Sequence, residues 1–203
     1  MAFDLSSVPV EEVGVVDPPA SYDVCTFERD LLKGGSTAAG LSRAELPLYY
    51  EVWNWEGDTT VLPGKWFRVV KKCFGAKFCD QKGIGSGAYL SEKYGVDHGG
   101  NKSFDPKSFF FVTLRSEVVA TCFGWKEAID GGGTTGVLHW LAVDPGHRKL
   151  GIGTALITLV CNRLKEQGFE KCRLRTESFR EGAIRLYLAN GFLLIGKEKA
   201  GGE

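Results

Sequence analysis

The sequence predicts one α/β domain in which helices lie on a mixed β-sheet. Three observations predict this fold. Residues 109–115 and 118–125 are rich in aromatic and β-branched side chains, and the short break at Ser116 and Glu117 joins them as a hairpin. Residues 154–167 carry apolar side chains at helical spacing. Strand candidates then alternate with helical ones as far as residue 197, an order typical of a sheet with helices packed on it.

The N-terminal half gives a weaker pattern. Residues 1–20 show no periodicity and are predicted to be a tail or arm lying on the domain, which itself spans residues 21–203. Three elements follow: a strand over residues 22–30, a helix over 41–55 and a helix over 65–74. Ser42 and Glu45 fit a capping box for the first helix, and Gly75 ends the second. No clear strand precedes the glycines of residues 83–87, which favours a loop over a phosphate-binding turn.

The C-terminal half supplies clearer elements. A strand over residues 137–143 is stopped by Asp144 and Pro145. The helix over residues 154–167 follows, with Gly168 as its C-terminal stop. A strand over 171–176, a helix over 181–190 and a strand over 192–197 complete the predicted fold.

The composition excludes several classes of function. Lys plus Arg and Asp plus Glu number 25 each among 203 residues, so the chain has no overall field to hold nucleic acid or an anionic membrane. The N-terminus lacks a secretory signal and no apolar run is long enough to span a bilayer, so we expect a cytoplasmic protein. The six cysteines show no paired spacing. Cys73, Cys79 and His98 could be argued to bind a metal, but buried thiols in a reducing cytosol are favoured, and no metal is expected.

The chemistry of the chain concentrates between the 137–143 strand and the following helix. A helix N-terminus has unpaired N–H groups and partial positive charge, so it binds phosphate groups. Gly151 and Gly153 remove side chains that would keep an anion from the backbone, and Arg148 and Lys149 add positive charge. The turn has neither a Walker lysine nor the third glycine of a Rossmann turn. By themselves, these residues leave a pyrophosphate site and a plain strand–helix turn about equally favoured.

Two motifs carry a family resemblance. Arg148-x-x-Gly151-x-Gly153 is similar to the Arg/Gln-x-x-Gly-x-Gly/Ala motif of the GCN5-related N-acetyltransferases. Residues 183–192 match that family's second motif, Ala-x-x-Leu-Tyr-x-x-x-Gly-Phe. The clear match covers residues 108–192. It implies the family's fold: a mixed, mostly antiparallel sheet, flanked by helices and splayed in a V where the expected co-substrate, acetyl-CoA, binds.

The resemblance also implies which residues bind the co-substrate. The backbone of Leu141 and Val143 is expected to pair with the pantetheine amides, and an N–H at Leu141 or Ala142 to polarise the thioester carbonyl. The expected pyrophosphate ligands are backbone amides, with Arg148 and Lys149 reinforcing them; the amides belong to Leu150, Gly151, Ile152, Gly153 and Thr154.

Two side chains are candidates for proton transfer. Tyr187 occupies the position of the family's general acid, near the sulfur of CoA; the alternative is a tyrosine that only packs its ring in the core. His139 matches one position of the histidine pair of arylalkylamine-type members and is the candidate base, with a half-buried structural histidine equally favoured. Strand alternation is expected to place Val137, His139 and Leu141 on one face. Val137 stands where the yeast-type histone acetyltransferases carry a glutamate, which excludes that arrangement.

The acceptor side is less defined. Arg180 replaces an asparagine that often contacts CoA in the family, so it is either a phosphate-binding residue or a solvated one. Asp97 and His98 are expected to be solvated loop residues, and His147 to be structural or exposed. Six aromatic residues could line an acceptor pocket, although core packing is favoured for most of them: Tyr49, Tyr50, Trp53, Trp55, Trp66 and Trp125.

The function predicted from the resemblance is acetyl transfer from acetyl-CoA to a primary amine of a small molecule or protein, by direct attack in a ternary complex. The alternatives are a non-catalytic acyl-CoA sensor, an interaction scaffold that keeps only the fold, and transfer of another acyl group or to a hydroxyl. The expected partner is the acceptor amine. Nucleic acid and membranes are not expected as partners, and a homodimer is left open.

Overall fold

The computed structural model describes residues 18–19, 21–32, 46–55, 62–94, 105–129 and 132–200. Most of the predicted tail over residues 1–20 therefore lies outside the described residues, as do Ser42, Glu45, Asp97 and His98.

The described residues form seven strands and five α-helices. The strands are β1 (Asp23–Asp30), β2 (Tyr50–Asn54), β3 (Phe109–Leu114), β4 (Glu117–Ala128), β5 (Thr134–Val143), β6 (Lys171–Glu177) and β7 (Leu193–Lys199). The helices are α1 (Leu62–Phe74), α2 (Ala76–Gln81), α3 (Ala88–Tyr94), α4 (Ile152–Glu166) and α5 (Glu181–Ala189). Short 3-10 turns at Pro106–Ser108 and Pro145–His147 precede β3 and α4.

The strands form one sheet in the order β2-β3-β4-β5-β6-β1-β7. Only the β5–β6 pair is parallel among the described pairs, which confirms the predicted mixed, mostly antiparallel sheet. The β3–β4 hairpin turns through Arg115 and Ser116, whose φ angles of 50° and 68° are those of a tight hairpin turn. The predicted hairpin is confirmed, one residue earlier than expected.

Each face of the sheet is covered by helices. On the face that we call the α4 face, α4 and α5 pack on apolar strand residues such as Phe27, Phe110 and Leu138. On the opposite α1 face, helices α1 to α3 pack on Phe109 and Phe123 among others. Burial of both faces explains why β3 reads as a continuous apolar run. No helix of the described chain is both long and apolar enough to cross a membrane.

The predicted helix over residues 41–55 is wrong where the structure describes it. Tyr50–Asn54 is the edge strand β2, paired antiparallel with β3. Tyr50 and Val52 pack against the core while Glu51 is exposed, a period of two that pairing with β3 imposes on a short segment. The glycine-rich segment after α2 is a loop, as predicted, but it leads into α3, which the sequence pattern missed. A side chain at Gly87 would collide with the backbone of Pro63, so packing requires this glycine.

Candidate functional site

Strands β5 and β6 separate soon after they begin to pair. Their register contains only Gly136 opposite Cys172 and Val137 opposite Arg173, although β5 continues to Val143. Beyond Val137, the β5 edge that faces β6 has no strand partner among the described residues. This is the splay implied by the resemblance, and it leaves backbone N–H and C=O groups for a ligand.

A β-bulge interrupts β5 at the splay. Thr121 pairs with Ala142 and Phe123 with His139, so β5 holds one residue more than β4 across this interval. Trp140 accommodates the extra residue by adopting a left-handed φ of 47°.

The bulge corrects the predicted alternation. His139 packs its ring near Phe123 and Tyr94, at centroid distances of 5.6 and 5.7 Å, on the α1 face. Leu141 instead packs with the core of the α4 face. His139 and Leu141 therefore do not share a face, because the extra residue reverses the alternation after Trp140.

The turn before α4 leaves a helix N-terminus without a side-chain cap. Gly151 is the N-cap residue in the left-handed conformation, with φ 79°, and no side-chain hydrogen bond caps the helix. Arg148 donates from Nε to the Val143 carbonyl at 3.0 Å, and Lys149 also has a positive φ of 61°. An uncapped first turn flanked by two cations fits a bound pyrophosphate.

The two glycines of this turn have different structural roles. Gly151 has open space around it and is required by its left-handed φ. A Cβ on Gly153 would lie 2.9 Å from Cδ2 of Leu186, so this glycine lets α5 approach the start of α4.

His139 has an acidic partner that the sequence analysis missed. Its Nε2 lies 2.9 Å from Oε1 of Glu127 on the neighbouring strand. Because a carboxylate only accepts hydrogen bonds, Nε2 carries the proton and Nδ1 is the free nitrogen of the neutral ring. The hydrogen bond from His139 lowers the pKa of Glu127 below its ordinary value. In the register of the β4–β5 hairpin, Glu127 lies opposite Thr135 and His139 opposite Phe123, so strand pairing alone would not have identified Glu127.

Tyr187 lies on the α4 face, so the sheet separates it from His139. Its ring is 6 % exposed and packs near Phe27 and Phe192, at centroid distances of 6.2 and 6.0 Å. Burial raises the pKa of the Tyr187 hydroxyl well above its ordinary value, so it remains protonated at neutral pH. The two candidate proton-transfer groups thus lie on opposite faces of the sheet, and the gap between β5 and β6 is the opening between those faces.

Arg180 is not a solvated residue. Its Nε donates to Oε2 of Glu177 at 2.7 Å. The guanidinium lies over the rings of Phe74 and Phe78, 4.6 and 4.7 Å from their centroids. Arg180 therefore reaches from the loop after β6 to helices α1 and α2.

The predicted acceptor aromatics divide into two groups. Trp55 and Trp66 are buried and Trp125 packs against Tyr94 at 5.0 Å, which confirms core packing for these three. Trp53, on the edge strand β2, and Tyr49, just before that strand, are exposed. The remaining aromatic, Tyr50, bonds through its hydroxyl to Nδ1 of His147 at 2.8 Å, so His147 is structural, as expected.

Two further features belong to helices α1 and α2. Cys73 and Cys79 are buried in α1 and α2, and burial raises the pKa of the Cys73 thiol to about 12. An open groove of about 920 Å³ runs along α1 and α2, and none of the predicted site residues lines it. Four cations line this groove: Arg68, Lys71, Lys72 and Lys77.

The chain is similar to known acetyltransferases in sequence. Over 96 residues it is 32% identical to a mycothiol acetyltransferase of Nocardiopsis dassonvillei, a match covering 45% of this chain and 29% of that protein. Over 135 residues it is 30% identical to N-acetyltransferase 8B of Rattus norvegicus, covering 65% of this chain and 53% of that protein. The chain thus spans less than a third of the first relative and about half of the second.

The comparison of structures agrees at the level of the fold. The chain superposes on a GCN5-related N-acetyltransferase from Sphaerobacter thermophilus with a TM-score of 0.59 and 16% identity, over 89% of this chain and 51% of that chain. The profile of the Acetyltransferase (GNAT) family matches residues 72–192, more than half of the chain. On this match, and with the splay and uncapped turn where that fold has them, the chain belongs to the acetyltransferase (GNAT) family.

Proposed function

We propose that this protein transfers an acetyl group from acetyl-CoA to a primary amine. One observation carries the proposal: β5 and β6 part after two register positions, and the uncapped N-terminus of α4 is the next α-helix terminus after β5. A free strand edge beside an anion-binding turn matches a molecule with a pantetheine amide arm and a pyrophosphate.

The backbone supplies the proposed binding site for acetyl-CoA. The amides of residues 150–154 bind the pyrophosphate, with Arg148 and Lys149 beside them, and the free edge at Leu141 and Val143 pairs with the pantetheine amides. An N–H at Leu141 or Ala142, beside the bulge at Trp140, donates to the thioester oxygen as charge develops there.

Proton transfer completes the proposed reaction. The acceptor loses a proton to His139, through Nδ1 or a water, and Glu127 stabilises the charged ring. The neutral amine nitrogen attacks the thioester carbonyl, and the carbon–sulfur bond of the tetrahedral intermediate breaks. The departing thiolate takes a proton from Tyr187, and the proton that the new amide nitrogen loses restores the Tyr187 hydroxyl. Burial keeps the Tyr187 hydroxyl protonated, so it has a proton to donate at this step.

Thermal unfolding with acetyl-CoA, CoA, ATP and NAD in parallel tests the proposed co-substrate. A ligand at a hundred times its dissociation constant stabilises the fold by about 2.7 kcal/mol, roughly 5–10 °C for a domain of this size. We expect acetyl-CoA and CoA to produce this shift, and ATP and NAD to leave the melting temperature unchanged. No shift with either CoA species would contradict the proposal and favour the scaffold.

The variant Tyr187→Phe separates an enzyme from a sensor. It keeps the buried ring and removes the hydroxyl, so the acetyl-CoA shift should persist while thiol release with an amine panel falls about 10²–10⁴-fold. A wild-type protein that binds acetyl-CoA but releases no thiol with any amine would be the sensor.

A further inference from the structure

Arg180 occupies a position that the proposed co-substrate does not account for. It follows β6, on the side of the splay opposite β5, and is the N-cap residue of α5. Its guanidinium crosses to α1 and α2, where the rings of Phe74 and Phe78 lie beneath it. The same two rings contact Trp140 at 5.6 and 6.5 Å. Arg180 and the bulge of β5 therefore flank one pair of rings.

This placement puts Arg180 beside the reacting end of the splay. Trp140 adjoins His139, the candidate base, and the electrostatic influence of Arg180 reaches the hydroxyl of Tyr187. The phosphate turn has its own cations in Arg148 and Lys149. A chemical group that binds Arg180 is therefore part of the acceptor molecule and not of the phosphates of acetyl-CoA.

The guanidinium is held in a fixed orientation. Its ion pair with Glu177 is 2.7 Å long, and the two side chains are only 15% and 13% exposed. A third ring, that of Phe179, lies 4.9 Å from the guanidinium carbon. A side chain ordered before the ligand arrives loses little entropy on binding, which favours selectivity.

One donor of this buried group is unsatisfied. Nη2 of Arg180 is inaccessible to solvent and has no hydrogen-bond partner among the described residues. A buried charged donor without an acceptor is costly, because it has lost its hydrogen bonds to water and has not gained one within the protein. A carboxylate is the acceptor that best matches a guanidinium, since both groups are planar and oppositely charged.

We propose that Arg180 determines acceptor specificity by binding a carboxylate that lies close to the reacting nitrogen. This inference rests on the proposed acetyl transfer and narrows its acceptor to amino acids and similar amino-carboxylates. Glu177 supports the same class, because its carboxylate lies beside Arg180 and attracts the ammonium of a zwitterion. The buried ion pair thus presents two charges complementary to those of an amino acid.

Matched amine pairs test this assignment by thiol release from acetyl-CoA. Each pair differs by the carboxylate alone: phenylalanine with phenethylamine, histidine with histamine, and lysine with cadaverine. We expect kcat/KM for the amino acid to exceed that for its partner at least tenfold in one or more pairs. Arg180→Gln should remove this preference by raising KM for the amino acid, and should leave the thermal shift with acetyl-CoA unchanged.

Two further variants keep the experiment decisive. Arg185→Gln is the matched control, because Arg185 lies on the same helix with a side chain 74% exposed, and it should keep the preference. If Arg180→Gln does not fold, Arg180→Lys keeps a charge beside Glu177 but loses the planar fork, and should lose most of the preference.

Several outcomes would overturn the assignment. Equal use of both members in every pair, or an unchanged preference in Arg180→Gln, would show that Arg180 does not select a carboxylate. Loss of the acetyl-CoA shift in that variant would place Arg180 in the co-substrate site instead. If no amine reacts, N-acetylphenylalanine must stabilise the CoA-bound protein more than N-acetylphenethylamine does, or the inference fails. The wild-type acetyl-CoA shift tests the proposed function separately.

Discussion

At the scale of single residues, Trp140 has the most unusual conformation at the site. A left-handed φ costs a bulky side chain about 1–3 kcal/mol, which surrounding contacts must offset. Its indole Nε1 donates to the hydroxyl of Tyr94 at 3.2 Å, and its ring contacts Trp66 at 6.1 Å. The bulge is therefore fixed by the α1 face, which carries α1 and α3. Those helices consequently orient both His139 and the strand edge proposed to bind the co-substrate.

The pair of His139 and Glu127 makes the first residue-scale prediction. His139→Gln should lower kcat by about 10²–10⁴-fold, because the glutamine amide cannot accept a proton near neutral pH. Glu127→Gln should lower kcat by about tenfold, since it keeps the shape but no longer stabilises the charged ring. Steady-state thiol release with a reactive amine measures both effects.

The control for this pair is Glu117→Gln. Glu117 is an exposed carboxylate on the same strand, paired with Arg68, and its loss should leave kcat unchanged. Unchanged kcat in His139→Gln, with the acetyl-CoA shift intact, would show that His139 is a structural histidine.

At the scale of elements, the packing of α5 against the start of α4 depends on Gly153. Gly153→Ala should destabilise the fold by about 0–1 kcal/mol. The new methyl group meets Cδ2 of Leu186 at 2.9 Å, which is the end of a side chain that can shift, and the helix propensity of alanine offsets part of the cost. Urea unfolding measures the free energy. The matched control is Gly182→Ala on α5, where a Cβ meets no atom within 4 Å, and it should leave the fold unchanged or stabilise it by about 0.5–1 kcal/mol.

A double variant identifies the contact. Adding Leu186→Ala to Gly153→Ala should cost less than the sum of the two single changes, because the smaller side chain removes the collision. Additive costs would show that the packing of α5 against α4 does not depend on this contact.

The elements also show what the sequence could and could not predict. Helices α4 and α5 were predicted to within two residues because each carries its own periodicity and a terminal glycine. Strand β2 was missed because its structure depends on pairing with β3, some sixty residues away. The turn before α4 was located from the sequence because its glycines and cations are contiguous, and its binding of pyrophosphate stays a prediction. Glu127 was missed because its side chain reaches His139 along the sheet from a position opposite Thr135. Arg180 could not be assigned because α1 and α2 supply two of the rings beside it.

At the scale of the whole molecule, Asp105 ties the start of β3 to α4 and makes stability depend on pH. Its carboxylate accepts a hydrogen bond from Arg163 in α4 at 2.9 Å, and another from Gln167, just after α4, at 2.6 Å. Burial acts to raise the pKa of Asp105, but the hydrogen bonds from Ser108, Arg163 and the Lys107 N–H outweigh it and lower the pKa below 3.8.

The sign of the effect follows from this lowered pKa. The folded protein binds the Asp105 proton less readily than the unfolded chain, so the contribution to stability is full above about pH 4 and is lost as pH falls through the folded pKa. Wild type and Asp105→Asn should therefore differ in unfolding free energy at about pH 7 and converge as the pH falls below the folded pKa of Asp105. Denaturant unfolding across this range measures the difference, and a gap that stays constant with pH would contradict it.

The position of β1 governs the order in which the sheet is completed. β1 lies between β6 and β7, and β7 has no other strand neighbour in the described sheet, so β7 is attached only through β1. Val24 pairs with both Glu177 and Glu198, each more than 150 residues further along the chain. During synthesis, β1 leaves the ribosome well before β6 and β7, so it must wait for both of its partners. Closing so long a loop is slow, so this side of the sheet should form late in folding, with the edges of β1 open to mispairing until then.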